Sequence, residues 1–98
     1  MIKYSYISFA KLAFLKTGLM KEIGFRTFSQ EDLNNNNQFV ITHNKITKIV
    51  KATLYNPAGI EIATQGIFSI IDINNCLLSF GQSIDSGQWL IILEFIFE

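Results

Sequence analysis

The stretch Trp89-Leu90-Ile91-Ile92-Leu93-Glu94-Phe95-Ile96-Phe97-Glu98 carries the most information about how this chain folds. In an extended backbone successive side chains point to opposite faces. Trp89, Ile91, Leu93, Phe95 and Phe97 therefore share one face, and Leu90, Ile92 and Ile96 share the other, interrupted by Glu94 and Glu98. A strand with one solvated face alternates apolar with polar residues. This one is apolar on both sides, so it is expected to be sheltered on both. It is too short to cross a bilayer as a helix and carries Glu94 within it.

Working back from this strand, turn chemistry divides the chain into strand-like runs. Gly81 to Gly87 reads as a loop, Cys76 to Phe80 as a strand, and Asn74-Asn75 as a turn. Ile60 to Ile73 is long for a strand, and Gly66 inside it marks a bend or bulge. Asn56-Pro57-Ala58-Gly59 is a turn, because Pro presets φ and Gly closes the corner. Ile46 to Tyr55 is a further strand, and His43-Asn44 is read as a two-residue hairpin turn after Phe39 to Thr42. Consecutive short connections favour an antiparallel meander of about five strands over residues 38–98.

The N-terminal third reads differently. Leu12, Leu15, Leu19 and Ile23 fall on one helical face, with Lys11, Lys16, Thr17 and Lys21 beside it and Gly24 at the end. This spacing predicts a helix over residues 8–22 within an N-terminal segment 1–24, although Phe9 and Phe14 lie off the face. Ile2 to Tyr6 alternates, so a short strand before it is an open alternative. Residues 25–37 form a connector: Phe25 to Phe28 can add a short strand, Ser29 begins a helical turn, and Asn34 to Asn37 favours a loop. The expected fold is thus a single α+β domain over residues 1–98, an N-terminal helix packed on a curved antiparallel β-meander. That order of elements is similar to the cystatin-like layout, in order alone and without a residue motif. One helix covers only one side of the last strand. The other needs sheet curvature into a partial barrel, or another protein chain.

Composition narrows the function. Ile, Leu, Val and Phe supply 36 of 98 residues, enough for a core without disulfides or metals. Eight basic residues balance eight acidic ones, and no Lys or Arg follows Lys51. Phosphate binding needs a basic excess, so nucleic acid is not an expected partner. No signal-peptide cleavage pattern and no long apolar span is present, so no membrane partner is expected and the compartment is read as cytoplasmic. Cys76 is the single cysteine, which suits a reducing environment.

Catalytic signatures are sparse. His43 is the single histidine and is read as a solvated turn residue, Cys76 as a buried strand residue, and the pair is too small for a Cys/His zinc site. Asp85-Ser86-Gly87 resembles the aspartic-protease signature. In that family, however, the motif sits early in the chain and is followed by Ala or Ser, whereas here Gln88 follows and the chain ends soon after. It reads as a turn. Glu94 and Glu98 lie roughly 13 Å apart along a strand, too far to share a proton. No cofactor and no metal are expected, and the reading leans away from an enzyme. It favours a small non-enzymatic protein-interaction module of inhibitor, immunity or accessory type. Such a module would self-associate as a homo-oligomer and bind a protein partner through its sheet. The expected interface residues are Trp89, Ile91, Leu93, Phe95, Phe97 and Tyr55. The alternative is a small apolar-ligand carrier with a cavity between helix and curved sheet.

Overall fold

The computed structural model describes residues 4–6, 8–14 and 20–97. It overturns the N-terminal helix and with it the α+β class and the cystatin-like order. In place of the helix over 8–22 stand β2 (Ser8–Phe14) and the start of β3 (Met20–Phe28), and β1 (Tyr4–Tyr6) precedes them where the alternation had left a short strand open. Among the described residues the longest helical element is the 3-10 turn Gln30–Asp32. The segment is rich in Tyr and Phe, which fit a pleated surface, and helix propensity is a weak prior that pairing overrides. Here the pairing is long: β3 runs antiparallel along β9 (Trp89–Phe97) from Met20 opposite Phe97 to Phe28 opposite Trp89. Gly24, expected to end a helix, sits in the middle of that ladder opposite Leu93.

The remaining strands are β4 (Gln38–Thr42), β5 (Val50–Tyr55), β6 (Glu61–Ile62), β7 (Phe68–Asp72) and β8 (Asn75–Ser79). They form two sheets, ordered β1-β4-β8-β7 and β2-β3-β9-β5-β6. All pairings are antiparallel except β1 with β4. The single meander is therefore also corrected. The hairpins β5–β6 and β7–β8 form, but His43-Asn44 does not fold β4 back onto β5. Instead the chain leaves the smaller sheet there and enters the larger one, with Asn44 and Ile46 at φ 55° and 52°. Gly66, at φ 80°, does break the Ile60–Ile73 run, separating β6 from β7.

One core joins the two sheets. Phe39 and Ile41 of β4 and Cys76 and Leu78 of β8 meet Phe28 of β3, Leu54 of β5 and Trp89, Ile91, Leu93 and Phe95 of β9. The sheets thus pack face to face, as in a sandwich. At one end the Phe28 ring stacks on Phe39 at 5.3 Å and on Trp89 at 6.2 Å, while Phe80 meets Trp89 edge-on. The Trp89 indole Nε1–H donates to the Asp85 carbonyl at 2.9 Å, so the 81–88 loop is tied across the end of the core. The smaller sheet shelters β9 on its Trp89 face; the expected cover over its other face, by sheet curvature or by a helix, is absent among the described residues.

Candidate docking face

The register assigns each β9 side chain to a face. Trp89, Ile91, Leu93 and Phe95 point inward and are buried, 6% exposed for Trp89 and 0% for the other three. Phe97 packs at the rim of that core and is partly buried. Five of the six residues expected at an interface thus lie on the side facing the smaller sheet, and the core uses their apolar surface. Tyr55, the sixth, pairs with Leu90 and lies half-buried on the opposite side.

That opposite side is the open one. By register it gathers Lys21, Ile23, Phe25 and Thr27 from β3, Leu90, Ile92, Glu94 and Ile96 from β9, and Lys51, Thr53 and Tyr55 from β5. Ile23, Phe25, Thr27, Leu90 and Ile92 line a shallow trough of about 320 Å³. Phe25 is 40% exposed, a large ring left in water next to half-buried Leu90 and Ile92. The charged end of the face is ordered: Lys21 Nζ lies 3.7 Å from Glu94 Oε1, and Lys51 is the cross-strand neighbour of Glu94. Glu94 is therefore a paired surface acid. Ile23 and Phe25 were missed because they were assigned to a helix and a connector. The alternation Lys21, Ile23, Phe25, Thr27 against Glu22, Gly24, Arg26, Phe28 held a usable signal, since it sets two apolar groups on the face opposite Phe28.

His43, Lys45 and Glu22 form a second locale near Phe95, toward the other end of the core. His43 is not a solvated turn residue. It is 5% exposed and its ring lies 4.7 Å from that of Phe95. Its Nδ1 accepts the Lys45 backbone N–H at 3.0 Å, and Nε2 is buried with no hydrogen-bond partner. Burial pushes its pKa below the ordinary value, Asp72 pulls it up and Lys45 pushes it down again. Glu22 Oε2 lies 3.2 Å from Lys45 Nζ, in ion-pair range but without hydrogen-bond alignment. The Arg26 guanidinium sits 5.9 Å from the centre of the Phe39 ring. Cys76 is wholly buried, and burial alone pushes its thiol up to about 12, so it is no nucleophile near neutral pH. Among the described residues no three His, Cys, Asp or Glu side chains come together as a metal would require.

Asp85-Ser86-Gly87 forms an exposed turn, with Gly87 at φ 113° against Pro57. A second trough of about 220 Å³ beside it is lined by Ile62, Ile67, Phe80, Ile84 and Trp89 among others, and it too is open. No helix among the described residues is long and apolar enough to cross a membrane. Comparison with protein-family models, curated proteins and solved structures found no match.

Proposed function

We propose that this chain is a non-enzymatic protein-interaction module that binds a protein partner through the open face of its larger sheet. The carrying observation is the trough of Ile23, Phe25, Thr27, Leu90 and Ile92 beside the Lys21–Glu94–Lys51 charges. An interface core wants desolvated apolar and aromatic groups, and its rim wants charge to set orientation. The partner matching this face presents one or two apolar side chains for the trough, with an acidic group placed to meet Lys51 or Lys21. The buried, high-pKa thiol and the ion-paired Glu22 and Glu94 supply no nucleophile or free acid–base pair, which favours binding over catalysis. A cytoplasmic setting suits a chain whose single cysteine stays buried as a thiol. The carrier alternative relied on a helix as the second wall of its cavity, and no such helix stands among the described residues.

The test is affinity capture from cells that make the protein, run in parallel with wild type and Ile92→Glu. The charge substitution alters the trough and leaves the inward face untouched. A partner retained by wild type and lost by a folded Ile92→Glu chain is the expected result. Equal capture by both excludes this face. Co-purification of a hydrophobic small molecule, seen by native mass spectrometry and lost in the same variant, would move the reading to ligand carriage.

A further inference from the structure

We propose that a second copy of the chain adds to the smaller sheet at β7, pairing antiparallel with its own β7 about a two-fold axis at Ile70. This surface is separate from the trough and does not rest on it. β7 ends the order β1-β4-β8-β7 and pairs on one side with β8. An edge of this kind presents a row of backbone donors and acceptors to water and templates another strand unless it is blunted. Two blunting devices are missing, since β7 contains no Lys and no Pro, and the bulge between Ile70 and Asp72 leaves Phe68 to Ile70 as the regular part of the edge. The Asp72 carboxylate is turned back into its own hairpin, accepting from the Asn74 N–H at 2.8 Å and the Asn75 side-chain amide at 2.9 Å. Ile70, Ile71 and Ile73 are left 38%, 52% and 42% exposed.

The backbone directions say what fits there. The Ser79 N–H donates to the Ile67 carbonyl, so Ile67, and by antiparallel alternation Ser69, direct their backbone groups toward β8. Phe68 and Ile70 then direct theirs outward. The Phe68 N–H is taken by the Thr64 carbonyl of the preceding turn, and the Ile73 carbonyl accepts from the Thr47 N–H just past the strand. Between these stops the Ile70 N–H and C=O stand open side by side. An extended backbone answers that pair, and a second Ile70 does so reciprocally, each donating to and accepting from the other. The same register sets Ser69 opposite Ile71 and Phe68 opposite Asp72, so no like charges meet. The bulge between Ile70 and Asp72 limits the shared ladder to this short stretch. The contact is therefore a reversible one.

The test combines sedimentation across the micromolar range with residue-resolved amide exchange. Wild type is expected to dimerise, and the Ile70 amide to gain protection as concentration rises while that of Ser69, already on the inner ladder, does not change. Ile71→Lys places a charge on the edge and is expected to abolish the dimer without altering the circular-dichroism spectrum. Ile92→Ser, in the trough, is expected to dimerise as wild type does. A chain that stays monomeric at high micromolar concentration overturns the proposal. So does a dimer whose Ile70 amide exchanges at a concentration-independent rate, a reading that needs no variant to fold.

Discussion

Ile91 and Ile92 are the same residue type, adjacent on one strand, and the structure assigns them opposite duties. Ile91 is fully buried, with Leu54 and Arg26 as its cross-strand neighbours, while Ile92 lies half-buried on the open face between Phe25 and Thr53. Truncation to Ala removes three carbons from either. At Ile91 that forfeits ~0.8 kcal/mol of transfer energy per carbon and leaves a cavity between two packed sheets, for a total of about 2–5 kcal/mol. At Ile92 much of the surface is already wet in the free chain, and the loss is roughly 1 kcal/mol or less. With about 4–8 °C of Tm per kcal/mol for a domain this small, a loss near 3 kcal/mol is a drop of roughly 12–24 °C for Ile91→Ala. Ile92→Ala drops by a few degrees. The assay is urea unfolding followed by the fluorescence of Trp89, the single tryptophan, which is buried against Phe28. Equal losses, measured at concentrations where the chain is monomeric, would refute the assignment of faces and the open trough with it.

Other consequences follow from named groups. Cys76 is expected to resist a disulfide reagent at neutral pH and to react only at the rate of unfolding; rapid labelling of native protein contradicts its burial. The His43 pKa is lower folded than unfolded, so the unfolded chain binds the extra proton. Stability therefore declines as pH falls through about 6.5, the unfolded value, toward the folded value, and this group adds no further loss below it. His43→Phe should flatten that limb in a pH series of urea midpoints. Asp72 is also shifted downward, by hydrogen bonds that favour its charged form rather than by burial. Its carboxylate is held below the ordinary range by the Asn74 and Asn75 hydrogen bonds, so its contribution is present above that range and lost as pH falls through the folded value. Asp72→Asn should remove the acid limb. Gly87→Ala places a Cβ 2.9 Å from Pro57 Cβ at φ 113°, and is expected to cost more than about 1 kcal/mol by the same unfolding assay.

Signals confined to a few residues were legible in the sequence, and signals that needed a distant partner were not. The Asn56–Gly59 turn forms, its Asn56 Oδ1 accepting the Ala58 and Ile60 N–H groups, because the required chemistry lies within five residues. Gly66 likewise announces its break through its own φ. The strand character of residues 38–42, 75–79 and 89–97 was equally local. What failed was β3. The spacing of Leu12, Leu15, Leu19 and Ile23 satisfies a helical face well enough when read alone, and for Ile23 the competing state is a ladder to residues some seventy positions later. His43-Asn44 failed for a related reason: an Asn at positive φ serves a sheet-to-sheet crossing as well as a hairpin, and nothing local separates them. The two-sided apolar character of β9 was read as a demand for shelter on both faces, and the structure shelters one, leaving Leu90 and Ile92 half-buried on the open side. Which side becomes core depends on a second sheet that only the tertiary arrangement reveals.

The trough and the β7 edge, taken together, constrain each other through symmetry. A two-fold axis that joins β7 to a second β7 antiparallel within one continuous sheet runs perpendicular to that sheet, so it preserves which side is up. Both larger sheets then stack on the same side of the merged sheet, and both troughs face outward in the same direction. A dimer of this kind would be a bivalent presenter, although each trough is complete within one chain. For a partner that displays two matching sites, the second contact becomes intramolecular, and apparent affinity rises without any new residue in the trough. Ile71→Lys should consequently weaken binding to a densely immobilised partner while leaving the affinity for the same partner as a dilute monomer unchanged. Ile92→Glu should weaken both. If Ile71→Lys instead weakened binding to the dilute monomeric partner, edge and trough would belong to one contact surface, and the independence of the two assignments would fail.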